Sequence, residues 1–316
     1  MIWNKLVVSR MHHLTVGVFH DETLSRELGK KGTESDILMF NRKMDDYIFT
    51  FMSPVADKLS AKSQIISTID VAIVSFSQMA RELGETILML DLMGVEAGIS
   101  ITTTYATPDQ ISAITKNTAM KSFKVEQNNP GRLLDLLKTF NPPRDNVSPA
   151  LIVVDHSFSV KGVGEVVLGF VKHGTVRKYD KLNLLPANKE VVVRSIQIQD
   201  EDWETAESGT RIGLAIKGAT IDELGRGSVL TASSDTRADS KLKVGFQKST
   251  FYAEEVREGS FHATIGMQTA PITISEIIDN SLVIDSTNPI VHAPQETLLL
   301  LDLNAKKTRI IGKGTV

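Results

Sequence analysis

Residues 155–186, DHSFSVKGVGEVVLGFVKHGTVRKYDKLNLLP, constrain the fold more tightly than any other stretch of the chain. Apolar and polar residues alternate through Glu165, Val166, Val167 and Leu168 and again through Phe170, Val171 and Lys172. Glycines at 162, 164, 169 and 174 punctuate these runs, a pattern that predicts short strands joined by tight turns. The expected result is a small antiparallel barrel. Helix and strand alternate before it and strands dominate after it, so the chain reads as three units, 1–145, 146–234 and 235–316, with the barrel in the middle.

The length of 316 residues agrees with that division, since one domain usually takes about 100 to 150 residues. No run approaches the roughly 18 uninterrupted apolar residues of a membrane helix. The start, MIWNKLVVSRMHHLTVGVF, lacks a long apolar region with a small-residue cleavage site. A cytoplasmic protein without a membrane partner is expected. The absence of cysteine excludes thiolate nucleophiles and cysteine zinc sites, and the histidines follow no ligand spacing, so no metal is expected. The net charge is −3, with acidic and basic residues nearly balanced in each unit, which gives no sign of extensive non-specific phosphate binding.

In the first unit, Leu14 to Phe19 reads as a buried strand, followed by a helix with Leu24 and Leu28 on one face. Strands over 36–40 and 47–52 flank an Asp45-Asp46 turn as a hairpin. A helix over 56–68, a strand over 71–76, a helix over 78–93 capped by Ser77, and a strand over 98–103 follow. Thr107, Pro108 and Gln110 form a helix start with a capping box, and Asn129-Pro130 opens another helix. Repeated strand–helix units imply a mostly parallel, doubly wound sheet, whose ligands sit at the carboxyl ends of the strands. The loop after Phe19 is therefore the first place to look for chemistry.

A phosphate-binding loop there would read G-x-x-x-x-G-K-[ST]: glycines for close backbone approach, a lysine for the terminal phosphates, a hydroxyl for magnesium. This loop reads His20, Asp21, Glu22, Thr23, Leu24, Ser25, Arg26, Glu27. His20 and Ser25 stand in the glycine places, Arg26 replaces lysine, and Glu27 replaces the hydroxyl. Two readings follow. In one, these are polar residues of a loop and helix start where a nucleotide site has decayed; in the other, His20, Asp21 and Arg26 serve a different anion, nucleotide or hydrolytic reaction at the helix N-terminus.

The middle unit carries an ordered series: Phe158, Lys161-Gly162, Gly164, Val166-Val167, Gly169, Gly174, Pro186, Arg194 to Gln197, Ala206, Gly209, Arg211 and Arg226-Gly227. This series resembles the second domain of translational GTPases of the elongation factor Tu type, and is most similar to the selenocysteine-specific elongation factor branch. The resemblance implies an N-terminal Ras-like doubly wound α/β domain followed by two antiparallel β-barrels. In the last unit, residues 248–254 resemble the first strand of the family's third domain and 308–316 its final strand, with strands expected over 272–277, 282–284 and 297–303.

The family's first domain also supplies a guanine-reading N-K-x-D and a D-x-P-G-H. At the corresponding places this chain has Thr103 to Ala106, and Met52, Val55 and Ala56 around Pro54. Thr33 stands where the family's first switch threonine would be. The resemblance thus implies a pseudo-GTPase: a protein similar to elongation factor Tu and the selenocysteine-specific factor that binds neither GTP nor magnesium as cofactor. Its expected partners are RNA, tRNA, the ribosome or another translation factor, met by a surface containing Lys161, Lys172, Arg177, Lys178 and Arg194.

Overall fold

The computed structural model describes residues 11–316; the first ten residues of the start read above for a leader lie outside the described part. Among the described residues no helix is long and apolar enough to cross a membrane. The N-terminal unit runs through β1 (His12–Phe19), α1 (Glu22–Leu28), β2 (Lys30–Glu34), β3 (Ile37–Met44), β4 (Tyr47–Pro54), α2 (Leu59–Ile66) and β5 (Val71–Ser75). It continues with α3 (Arg81–Leu92), β6 (Gly98–Thr102), α4 (Pro108–Thr115), β7 (Lys124–Gln127) and α5 (Pro130–Leu137). The sheet order is β2-β3-β4-β1-β5-β6-β7. β1 pairs in parallel with β4 and β5, while β3 pairs antiparallel with β2 on one side and β4 on the other. The six residues from Leu14 to Phe19 are all buried, as expected for a parallel strand covered on both faces.

Local chemistry decides where the helices begin. Thr107 accepts from the Gln110 N–H while the Gln110 side chain accepts from the Thr107 N–H, closing the expected capping box. Asn129 caps α5 singly, its side chain accepting from the Arg132 N–H. Two expected starts are corrected. The helix predicted from 56 begins only at Leu59, because Ala56 and Asp57 both take left-handed backbone, with φ of 49° and 54°. The helix predicted from 78 begins at Arg81 without Ser77 as cap; the Ser77 hydroxyl donates to the His20 carbonyl instead.

The middle barrel comprises β8 (Leu151–Val160), β9 (Gly164–His173), β10 (Thr175–Arg177), β11 (Lys181–Leu185), β12 (Lys189–Ile198), β13 (Glu201–Trp203), β14 (Thr205–Glu207), β15 (Arg211–Lys217) and β16 (Val229–Thr231). The order β11-β16-β8-β9-β15-β12 closes because β11 also pairs with β12. Gly169 serves this closure, since a Cβ there would run into the Val153 carbonyl on the facing strand.

The C-terminal barrel contains β17 (Arg237–Lys248), β18 (Gly259–Ile265), β19 (Gln268–Ile278), β20 (Ser281–His292), β21 (Thr297–Leu301) and β22 (Ile310–Thr315), closed as β17-β20-β19-β18-β21-β22. Its first strand ends at Lys248, so the strand expected over 248–254 is corrected to a turn. There the Tyr252 N–H donates to the Ser249 carbonyl, and the Tyr252 hydroxyl donates to Asp302.

One apolar cluster crosses all three units, joining Leu59 and Ile65 of α2 to Val153 and Leu185 of the middle barrel and to Leu301 and Ile310 of the C-terminal one. A polar knot at the end of the first unit forms the seat on which the middle barrel packs. Arg144 donates to both Asp70 oxygens, at 2.6 and 2.9 Å, and to the His13 carbonyl at 2.6 Å, while the Thr15 N–H also donates to Asp70. Gly209, with φ of 87°, lets the barrel turn lie against this guanidinium, because a Cβ would overlap it. Gly209→Ala should therefore cost roughly 1–3 kcal/mol of stability through strain and a displaced Arg144, read as a lower midpoint in urea unfolding.

Candidate functional site

The carboxyl ends of β1, β4 and β5 converge on a cleft of about 240 Å³ lined by His20, Asp21, Glu22, Ser53, Asp57, Ser77 and neighbouring residues. Three non-glycine residues in left-handed conformation meet here: His20 with φ of 64°, Ala56 and Asp57. Each element presents polar groups, and the chain's own side chains take most of them.

The Asp21 carboxylate sits over the start of α1. It accepts from the Leu24 N–H at 3.0 Å and from the Asn128 side-chain amide at 3.2 Å. A negative charge thus already occupies the place where this helix would present its first amides. The next residues are spent as well. The Ser25 hydroxyl is buried against the Ser53 hydroxyl, Arg26 pairs with Glu22 on the exposed face of α1, and Glu27 is exposed.

His20 turns inward, its side chain 4% exposed. Its Nε2 lies 2.9 Å from the Thr86 hydroxyl, and that hydroxyl donates to the Glu82 carbonyl at 2.9 Å. With the threonine proton committed, Nε2 carries the imidazole hydrogen, and Nδ1 faces Asp57 Oδ1 at 3.8 Å. The other Asp57 oxygen accepts from Lys62 at 3.0 Å, and Lys62 also donates to the Glu82 carbonyl at 3.2 Å. Lys62 is fully buried. Burial pushes its pKa below the ordinary lysine value against the pull of Asp57, and burial likewise lowers that of His20, which Asp57 opposes and Lys62 reinforces.

His20, Asp21 and Arg26 therefore do not converge on one reacting atom. The lysine and hydroxyl of a nucleotide loop have no counterpart in α1, and the single buried lysine of the site comes from α2 and is bound to a carboxylate. Around the place a phosphate-binding loop would occupy, Asp21, Glu22 and Asp57 bring negative charge, and Lys62 is paired with Asp57. Among the described residues no group of three His, Cys, Asp or Glu could hold a metal ion.

Thr33 lies on β2, and its hydroxyl accepts from Arg211 at 3.3 Å across the boundary with the middle barrel. Arg211 also donates to the buried Asp155 at 2.8 Å. Both Thr33 and Arg211 line a cleft of about 580 Å³ between β2 and the middle barrel, floored by Phe158, Val166 and Leu168. The five basic residues of the middle unit do not form one patch. Lys161 lies in the turn between β8 and β9, and Lys172 stands near the other end of β9, roughly 30 Å away along the strand, where it pairs with Glu296 at 3.4 Å. Arg177, Lys178 and Arg194 are brought closer, because the Tyr179 N–H donates to the Val193 carbonyl. Lys178 pairs with Glu204 and lies over the Tyr179 ring.

Sequence reasoning missed Lys62, Asp57, Thr86 and Glu85. Lysine and glutamate at helical spacing read as surface residues, and only the contradiction of a charge on an otherwise apolar helix face could have marked them.

Comparison with known proteins agrees with this architecture. Residues 164–231 match the family model of elongation factor Tu domain 2. An uncharacterized protein of Methanocaldococcus jannaschii is 34% identical over 308 residues, covering 96% of this chain and 99% of that one. The selenocysteine-specific elongation factor of the same organism is 36% identical over 148 residues, 45% of this chain but only 31% of the factor. The crystal structure of translation elongation factor SelB from Methanococcus maripaludis in its apo form superposes with a TM-score of 0.79 over 96% of this chain and 79% of that one, at 22% identity, which shows a shared fold.

The fold is thus that of a translation elongation factor, an α/β domain followed by two closed antiparallel barrels. The chain belongs to the translational GTPase family, of the elongation factor Tu and selenocysteine-specific factor type.

Replacing Asp21 tests whether the α1 start is held by that carboxylate. Asp21→Ala should lose about 1 kcal/mol, the usual value of such a cap, measured by urea unfolding.

Proposed function

We propose that this protein is a translation-associated docking factor that works without binding or hydrolysing GTP. The carrying observation is the first loop, where Asp21 already sits on the α1 amides and His20 closes inward on Thr86. Phosphoryl transfer in this family depends on positive charge and magnesium around the phosphates, so a loop of carboxylates with a sequestered lysine removes both binding and turnover. The family's docking surfaces are a separate matter, and the closed barrels supply them.

The partner is RNA, tRNA, the ribosome or another translation factor, as the family affiliation suggests. The cleft between β2 and the middle barrel offers an apolar floor beside Lys30, Lys31 and Arg211, and Arg177, Lys178 and Arg194 add positive charge outside its lining. The cytoplasm is the compartment this reading requires.

Isothermal titration with GTP and GDP, each with and without magnesium, tests the reading together with a phosphate-release assay. The expected outcome is no heat of binding at micromolar ligand and no phosphate released. Micromolar binding accompanied by turnover would overturn it.

A further inference from the structure

Helices α2 and α3 stand between the loop cleft and the C-terminal barrel, and their neighbouring residues point both ways. On α2, Lys62 reaches Asp57 at the cleft. Ser63 and Gln64 meet Thr264 and Thr269 of the C-terminal barrel at 3.0 and 3.1 Å, and Gln64 also accepts from Arg226 of the middle barrel at 3.4 Å. On α3, Thr86 accepts from His20, while the adjacent Glu85 turns to the barrel. Glu85 is 1% exposed at its side chain and binds Arg309 three times: from the backbone N–H at 2.9 Å, from Nε at 3.0 Å and from a terminal nitrogen at 2.6 Å.

The cleft groups form a closed ring: His20 to Thr86, Thr86 to the Glu82 carbonyl, Lys62 to the same carbonyl and to Asp57, and Asp57 facing His20. Lys62 and Glu85 are the buried members, and each is held by a partly exposed partner, Asp57 or Arg309, so breaking either pair removes the counter-charge that fixes its helix. Relative motion is the default between domains joined by small polar interfaces. Here a shared apolar cluster, a bidentate ion pair and consecutive bridging residues oppose it.

We propose that the His20–Thr86–Lys62–Asp57 ring and the Glu85–Arg309 clasp act as one interdomain clamp that fixes the C-terminal barrel on the N-terminal domain in a single arrangement. The clamp goes beyond the nucleotide-free reading, because it would hold whether or not a nucleotide entered the cleft. Its function is to present the two barrels as a rigid surface to a partner, with no ordering cost at the moment of docking.

The chain has no cysteine, so two introduced ones can be spin-labelled without background. Lys116→Cys on the N-terminal domain and Glu276→Cys on the C-terminal barrel are both exposed, and pulsed electron paramagnetic resonance reads the distance between them. The full-length protein should give one narrow peak that magnesium–GTP leaves in place. Glu85→Gln and Lys62→Met, with helix and strand content checked by circular dichroism, should each lose that single peak to a broad or split distribution. Should either fail to fold, Arg309→Lys, which keeps the charge but not the bidentate fork, carries the same expectation. A narrow peak retained in the folded variants, several peaks in the parent, or a peak displaced by magnesium–GTP would overturn the clamp. Calorimetric binding of GTP with an unmoved peak would overturn only the nucleotide-free reading.

Discussion

A lysine ammonium taken wholly out of water is tolerated only where a counter-charge and acceptors surround it, and the burial of Lys62 imposes that condition on the centre of this molecule. Asp57 must point inward to meet it, which holds Ala56 and Asp57 in left-handed backbone and delays the start of α2. The Glu82 carbonyl must remain available, which fixes α3 against α2. His20 then closes over the same carboxylate and hydroxyl. The shape of the loop cleft is a consequence of satisfying one buried charge.

The cleft sits where an α/β fold leaves its chemistry to the loop side chains. In an α/β sheet the loops at the strand ends are where ligands gather, and the scaffold tolerates almost any side chains there. In this chain those positions carry carboxylates, an imidazole and a paired lysine. The groups satisfy one another. The barrels retain the glycines and apolar alternation that their closure needs, as at Gly169, because a closed sheet has less freedom to change.

How much of this was legible in the sequence depended on the range of the interaction. The middle barrel was readable because strand alternation and turn glycines are local, and the α4 and α5 starts were readable because a cap and its amide lie three residues apart. The shift of α2 was not, since Ala56 and Asp57 give no residue-type sign of left-handed backbone. β2 was missed because its residues, Lys30 to Glu34, are polar and form an edge. The loop after β1 was legible from the strand–loop–helix pattern, but the inner ring beside it was hidden. Lys62 and Thr86 are reached by helix packing, and Glu85 meets Arg309 across 224 positions of sequence, distances at which neither periodicity nor motif carries information.

We propose that the chain's own side chains take the place of a nucleotide at the end of β1. Ligand that binds only the folded state raises stability by about 4 kcal/mol when present at 1,000 times its dissociation constant, enough to move a thermal midpoint by several degrees. The direct measurement is thermal unfolding of the full-length protein with and without millimolar magnesium–GTP or magnesium–GDP. An unchanged midpoint is the result this account predicts; a rise of several degrees with either nucleotide would contradict it.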